Sequence, residues 1–541
     1  MNTILLCAGK INYVNLPINT NTSNSMIPVN GKPVIAWILE DLLAKNINEV
    51  ILVLRAEDTF LKEFLDRVYS SKVAITYVEL KDSKSILHSL QSGLELCKED
   101  EAVRVLLGDT MIQDSFDLEG DTIYVHEVDE SKRWCLVETN DQGEVQTYWD
   151  KVLVDVPKPY FAACGYYHIK DCRYFKDCVE ESIQKEDNQI SDALIRYQQE
   201  RKLVIKHAQK WFDFGNIDNL LTSKQRLLQS RYFNTLTIDP ILNTIMKVSE
   251  FDQKLRCELN WYEQLPSELQ VLTPRIISKE EEGGQLHLVQ EYYGYPTVAE
   301  LYLFSDLNIE NWELIIKRLI ILHQQFLKFT GKLPIEAFRS IYIDKTFDRL
   351  EKLKDTDPEW QRILSYDHVE LNGQTLNNIY SFEKELKQKA QEVANNARAT
   401  IIHGDYCFSN ILFDINSQIV RLIDPRGSFG EIGIYGDPRY DIAKMRHSLC
   451  GAYDYIVSDM FEVKETEGKF DARLFSRTDI DQLSSIFDKH IANIGYDPKE
   501  IKFIEALLFI SMLPLHKDKP LRQKMMYLNG LTRLNELFVC V

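Results

Sequence analysis

The chain has 541 residues, of which 45% are hydrophobic and 11% aromatic. That is too long for one ordinary core and apolar enough to bury two or three, which excludes a disordered chain. A formal charge of −19 excludes nonspecific nucleic-acid binding as the main activity, although a local group of Lys and Arg still suffices to hold a phosphate.

In chain order, the first part alternates short apolar runs with helical patterns. Strands are predicted over Thr3–Cys7, Glu49–Leu54, Ala74–Tyr77 and Ala102–Leu107, and helices over Val34–Ala44, Thr59–Tyr69 and Ile86–Cys97. Such alternation means a mostly parallel sheet covered by helices, with ligands at the carboxyl ends of the strands. Asp109 lies at such an end. The opening Met1–Leu6 has no basic segment and reads as a first strand rather than a targeting signal.

After about residue 230 the pattern changes. Leu236–Ile238 and Thr244–Val248 read as paired strands and Leu286–Gln290 as another. Helical patterns then dominate over Trp312–Phe329, Ile379–Asn396, Asp437–Gly451 and Ile480–Ile494. A small sheet followed by many helices is an α+β arrangement. The boundary falls near Gln229–Asn234, giving expected domains over 1–230 and 231–541. The apolar run Ala506–Leu515 is shorter than the roughly 20 residues of a membrane span and is expected as a buried helix. The ten Cys show no metal-ligand spacing, so reduced thiols in a cytoplasm are expected.

The window from His403 to Asp424 carries the densest chemistry. A hydroxyl attacking the γ-phosphate of ATP needs a carboxylate to take its proton, and Asp405 is the candidate. The phosphates need Mg²⁺ on hard oxygen ligands, for which Asn410 and Asp424 are the candidates. They face each other if Asn410–Phe413 and Ile419–Ile423 form a hairpin closed by Asp414–Gln418.

His403-Gly404-Asp405, Asn410, Ile423-Asp424 and Tyr440-Asp441-Ile442-Ala443 resemble the pattern of the aminoglycoside phosphotransferase and choline kinase family, whose fold is similar to protein kinases. The resemblance implies that Asp405 is the catalytic base and that Asn410 and Asp424 bind Mg²⁺. It implies that Asp441 anchors the catalytic loop and that His403 is structural. Lys247 fits the strand Lys that contacts ATP phosphates, and Glu258 the helix Glu that pairs with it. Gln290–Gly294 fits the hinge behind the adenine. Arg426 is read either as touching substrate or phosphate, or as pairing with Asp437.

Nucleotidyl transfer needs carboxylate-held Mg²⁺, close backbone approach to phosphates and Lys to neutralise them. Gly9 and Lys10 after the first strand, Asp109 after another, and Asp213 in Trp211-Phe212-Asp213 stand in that order. With Pro28–Pro33, Trp149-Asp150-Lys151 and Ala163–Tyr167 they resemble the nucleotidyltransferases that make nucleotide sugars, a family with a Rossmann-like sheet to which phosphocholine cytidylyltransferases are related. By that resemblance Asp109 and Asp213 hold Mg²⁺ and Lys151 grips the substrate phosphate. Two positions depart from the family: Tyr13 stands where an Arg is usual, and Asn24 near the place of a Lys. Lys10 and Lys32 are the candidates to compensate.

The expected architecture is a Rossmann-like α/β nucleotidyltransferase domain followed by an α+β protein-kinase-like phosphotransferase domain. The expected function is phosphorylation of a sugar or sugar-like hydroxyl by ATP, then coupling of that phosphate to a nucleotide from a second NTP, yielding an activated donor for surface polysaccharide. Two alternatives stand beside it. One is a choline or amino-alcohol version, with Trp360, Tyr453 and Tyr455 as cage candidates. The other is a kinase whose N-terminal half only binds. No nucleic-acid or membrane partner is expected.

Overall fold

The computed structural model describes residues 1–9, 23–82, 84–116, 120–153, 159–215, 217–227, 234–250, 252–305 and 307–538. The chain divides into two compact units, Met1–Leu227 and Leu228–Val541.

In the first unit the runs Asn2–Leu6, Glu49–Arg55, Ala74–Leu80 and Val103–Leu107 form parallel strands. Helices Val34–Ala44, Thr59–Val68 and Ile86–Leu94 lie between them in sequence. Ile4, Leu5 and Leu52 are fully buried, as expected of strands covered on both faces. The rest of the sheet is antiparallel except for Val204–His207, which runs parallel to Thr122–Val128. Tyr160–Ile169 pairs with Val103–Leu107, and Thr122–Val128, Cys135–Thr139, Val145–Asp150 and Val204–His207 complete nine strands. Tyr160–Ile169 is irregular between Ala163 and Tyr167. Gly165 lies there at φ 76°, where a Cβ would meet Leu107 Cδ1 at 2.8 Å, so the close approach of the two strands requires glycine.

Asn2–Leu6 and Val103–Leu107 are neighbours in register, Leu6 opposite Leu107. Their carboxyl ends therefore deliver Cys7-Ala8-Gly9 and Gly108-Asp109 to one place. Gly108 is held tightly, since a Cβ there would meet Ser25 Oγ at 2.6 Å and Leu6 O at 2.8 Å.

The second unit opens with a four-stranded antiparallel sheet in the order Asn234–Asp239, Thr244–Ser249, Gln285–Glu291, Ile276–Glu282. Helix Asp252–Gln264 packs on it through Leu255 and Leu259 against Leu286 and Leu288. Burial alternates along Thr244–Ser249, and Lys247 falls on the buried face with Ile245. A long helical part follows, including Ile309–Phe326, Lys345–Thr356, Pro438–Leu449, Ile480–Asn493, Pro498–Met512 and Pro520–Phe538.

Several expected bounds shift for local reasons. The helix expected from Trp312 starts at Ile309, because the Asn308 side chain accepts from Asn311 N. Asp437 is not helical but caps Pro438–Leu449 by accepting from Arg439 N. The stretch from Ile379 opens as a 3₁₀ turn, Ile379–Phe382, before the helix Glu383–Asn395. A second four-stranded sheet of Gln374–Asn377, His368–Leu371, Lys469–Leu474 and Phe461–Thr466 had no counterpart in the sequence reading. Ala506–Met512 lies in the buried helix Pro498–Met512, and among the described residues no helix is long and apolar enough to cross a membrane.

Four of the C-terminal helices are joined by a charge cluster. Glu505 is fully buried, pairs with Arg446 and accepts from Arg533 Nε at 2.7 Å, while Arg446 also meets Asp488 at 2.9 Å. Removing Glu505 leaves buried guanidinium groups short of charge. Glu505→Ala is expected to destabilise the second unit by about 3–5 kcal/mol in denaturant unfolding.

Candidate active sites

In the second unit the expected hairpin is present: Ile411–Asp414 pairs with Ile419–Leu422, and Gln418 takes a left-handed φ of 55° in the turn. Ile423 N donates to Asn410 O at 3.0 Å, which brings Asp424 beside Asn410. The loop before the hairpin is clamped from the helix Pro438–Leu449. Asp441 accepts from His403 N at 2.7 Å and Gly404 N at 2.8 Å, fixing a turn that needs Gly404 at φ 78°.

Asp405 is held from two sides. Asn410 Nδ2 donates to its Oδ2 at 3.1 Å and to its backbone O at 3.0 Å, and Lys444 Nζ lies 2.8 Å from its Oδ1. Burial pushes the Asp405 carboxyl upward, but Lys444 more than offsets this and holds it below the usual carboxylate range. Asp405 is thus ionised at neutral pH and oriented, as a proton acceptor must be.

Lys247 Nζ donates to Glu258 Oε1 at 2.8 Å and also pairs with Asp424. Burial lifts the Glu258 carboxyl to about 7 in spite of Lys247, because Asp424 shares the same ammonium. Asp424 sits at a left-handed φ of 54° with its side chain 39% exposed, so one carboxylate of the pair is open to solvent.

Arg426 does not pair with Asp437. Its Nη1 donates to Tyr440 Oη at 2.8 Å, while Asp437 is taken by Arg439 and by Tyr342 Oη at 2.9 Å. Two of the cage candidates are core residues: Trp360 is 1% exposed against Tyr527, and Tyr455 is 4% exposed against Tyr302. His403 is fully buried beside Trp261, and burial lowers its imidazole to about 4, so it is neutral.

In the first unit Asp109 and Asp213 converge. A Cβ on Gly215 would sit 3.2 Å from an oxygen of each. Thr110 and Asp213 are paired across strands Thr110–Ile112 and Trp211–Asp213, and Trp211 Nε1 donates to Thr110 Oγ1 at 2.8 Å to lock them. Asn24 Nδ2 donates to Asp109 at 3.3 Å, and Asn219 Nδ2 to Asp213 at 2.6 Å. Burial and the facing Asp109 charge push Asp213 up to about 7; burial also raises Asp109, against Asn24 and Lys151. Two cavities share Asp109 in their walls. One of about 250 Å³ is lined by Asp213, Lys151, Trp134 and Gln189. The other, of about 240 Å³, is lined by Cys7, Gly9, Asn24, Ser85 and Ser89.

A family model described as "Nucleotidyl transferase" matches residues 4–230, and one described as "Phosphotransferase enzyme family" matches residues 232–466. The chain joins an N-terminal nucleotidyltransferase domain to a C-terminal kinase-like phosphotransferase domain. The first is 24% identical over 234 residues to the bifunctional protein GlmU of Methanococcus maripaludis, covering 42% of this chain and 54% of that protein. It is 24% identical over 248 residues to a low-salt glycan biosynthesis nucleotidyltransferase of Haloferax volcanii, covering 43% of this chain and 67% of that one. The chain thus spans only about half the length of the GlmU relative. Among solved structures, a UDP-glucose pyrophosphorylase from Acinetobacter baumannii is similar at 17% identity and TM-score 0.36, covering 42% of this chain and 92% of that one. A CTP:phosphocholine cytidylyltransferase from Streptococcus pneumoniae is similar at 16% identity and TM-score 0.35, covering 42% and 98%.

The nucleotidyltransferase domain sets Lys151 at the cavity wall but not Lys32. Lys32 pairs with Glu40 and lies 3.8 Å over the Trp37 ring, and it lines neither cavity. The left-handed turn Asn30-Gly31 directs it onto the following helix instead. Lys10 and Tyr13 lie outside the described residues. The phosphotransferase domain adds Lys444, which the sequence reading missed. Its signal was present: Lys444 follows Asp441 by three positions, so the helix that anchors the loop also reaches Asp405.

Titration of the first site has a consequence for stability. Asp213 keeps its proton to about pH 7 when folded but loses it near pH 4 when unfolded. The folded state therefore holds the extra proton, and stability falls as pH rises through that window. In metal-free buffer Asp213→Asn is expected to stabilise this domain at pH 8 by about 1–3 kcal/mol and to do little at pH 4, as thermal melts would read.

Proposed function

We propose that the chain phosphorylates a hydroxyl of a sugar-like small molecule with ATP and then couples that phosphate to a nucleotide, releasing pyrophosphate. The observation that carries this reading is the presence in one chain of two charge-poised centres, Asp405 with Lys444 and Asn410, and Asp109 with Asp213. The 24% identity to a glycan-biosynthesis nucleotidyltransferase favours a sugar-like acceptor and a role in surface glycan assembly.

In the phosphotransferase domain the acceptor oxygen bonds to the γ-phosphorus, its proton passes to Asp405, and the bond to the β–γ bridging oxygen breaks to release ADP. Asn410 holds Asp405 in line, and Lys247 holds the donor phosphates while Glu258 fixes Lys247. In the nucleotidyltransferase domain an oxygen of the new phosphate bonds to the α-phosphorus, and the bond from that phosphorus to the α–β bridging oxygen breaks to release pyrophosphate. Gly9 and Gly108 let backbone approach the triphosphate, and Lys151 neutralises the attacking phosphate.

Asp109 with Asp213, and Asp424 with Asn410, are the residues that would hold Mg²⁺. The donor sets fit: two buried carboxylates meet at one point and resist joint ionisation, as a shared cation would relieve. Among the described residues no cluster of three or more His, Cys, Asp or Glu could hold a metal, in keeping with an ion that takes most of its ligands from phosphate and water. When bound, Mg²⁺ supplies neutralisation of charge on the leaving oxygens. The protein is expected to be cytoplasmic.

A pyrophosphate-release assay with each nucleoside triphosphate and a panel of sugar 1-phosphates and amino-alcohol phosphates tests the second step. Release with a sugar phosphate supports the reading. Release only with an amino-alcohol phosphate transfers it to that class, and none from any pair leaves the N-terminal domain as a binding module.

A further inference from the structure

Near Asp405 stand three cations, Lys345, Arg349 and Arg426, that the proposed reaction does not use. Lys345 and Arg349 lie one turn apart on the helix Lys345–Thr356. Lys345 Nζ donates to Tyr440 Oη at 3.3 Å, and Arg426 Nη1 donates to the same oxygen at 2.8 Å. Tyr440 is 2% exposed and lies one turn before Lys444, whose ammonium reaches Asp405. Arg349 donates to Ser511 O at 2.6 Å. Four cations thus gather about one phenol and one carboxylate. Among the described residues Lys345, Arg349 and Arg426 have no carboxylate partner, in a chain with 82 acidic residues against 63 basic ones.

Resting on the kinase reading above, we infer that the acceptor carries a negative group, carboxylate or phosphate, beside its attacking hydroxyl, and that Lys345, Arg349 and Arg426 receive it. Clustered, partly buried cations repel one another and cost desolvation unless an anion joins them. The local titrations agree. Burial and its cationic neighbours lower Lys345 to about 8, and Lys345, Arg426 and Lys444 draw the buried Tyr440 phenol down to about 7. The donor phosphates have a different anchor: Lys247 is partnered by Glu258 and Asp424, neither of them in this patch. A quaternary ammonium or amino-sugar acceptor would meet like charge here, which argues against the amino-alcohol alternative.

The test is phosphoryl transfer by the full chain from labelled ATP with Mg²⁺ to three matched sets of acceptors. Glycerate, gluconate and glucuronate carry a carboxylate, and glycerol 3-phosphate and glucose 6-phosphate a phosphate. Glycerol and glucose are their neutral counterparts, and choline, ethanolamine and glucosamine the cationic ones. Preference for one of the two anionic sets is expected and identifies the group. Lys345→Ala and Arg426→Ala should each raise KM for that acceptor by roughly 10–100-fold with KM for ATP unchanged, and Lys345→Arg should recover most of the loss. Unaltered thermal melts would show that the variants fold. Transfer only to neutral or cationic acceptors, or to none, overturns the inference. So does a rise in KM for ATP in place of that for acceptor. Transfer to neutral acceptors that Asp405→Asn abolishes would leave the kinase reading standing while this inference fails.

Discussion

Asp405→Ala is expected to lower kcat for phosphorylation by about 10²–10⁴-fold, the range for loss of a positioned general base. Asp405 is the carboxylate that Asn410 and Lys444 jointly orient, and Lys444 keeps it ionised. The alanine variant also strands Lys444, which would lose its carboxylate partner, so Asp405→Asn is the better companion: it keeps an oxygen for Lys444 and removes the basicity. Both variants should lose acceptor phosphorylation together. Nucleotidyl transfer from a preformed phosphate should be unchanged in each, because Asp405 and Asp109 belong to separate units. Phosphorylation that survives in both would remove Asp405 from the chemistry.

Asp109→Ala is the mirror experiment, with pyrophosphate release expected to fall by at least about 10²–10³-fold, as when a main electrostatic stabiliser of a transition state is lost. The residue lines both cavities and faces Asp213 across Gly215, so no other described side chain is placed to substitute for it. Phosphorylation should be intact. The same variant relieves the repulsion that lifts Asp213, so its carboxyl should titrate lower, visible as a weaker pH dependence of thermal stability in metal-free buffer. Unimpaired pyrophosphate release would assign the centre elsewhere.

How much of this was legible in the sequence depends on how local each signal is. The convergence of Asp405, Asn410 and Asp424 was legible because they stand at the two ends of one hairpin and in the loop before it, and the apolar runs set its register. Asp109 and Asp213 come from distant segments, yet each ends a short apolar run, and the pairing of Thr110 with Asp213 joins those two ends. The pairing of Lys32 with Glu40 was not legible, because the Asn30-Gly31 turn and Glu40, eight positions on, decide its direction, and a motif match reports neither. The antiparallel strands between Thr122 and Ile169 were missed because they follow one another without helices between them. The patch of Lys345, Tyr440 and Arg426 was out of reach for another reason. Its members come from two helices and a loop, and nothing in the spacing of Lys345 relates it to Tyr440 until the helices pack.

The central claim is that one chain performs two consecutive transfers. It is tested most directly by incubating the full chain with Mg²⁺, ATP, a second nucleoside triphosphate and the acceptor panel, and weighing the products by mass spectrometry. The account predicts an acceptor joined through its new phosphate to a nucleoside monophosphate, with one ADP and one pyrophosphate formed per product. Asp405→Asn should restrict that product to reactions given the preformed acceptor phosphate, and Asp109→Ala should stop at the phosphorylated acceptor. A wild-type chain that accumulates phosphorylated acceptor and releases no pyrophosphate with any nucleoside triphosphate would contradict it.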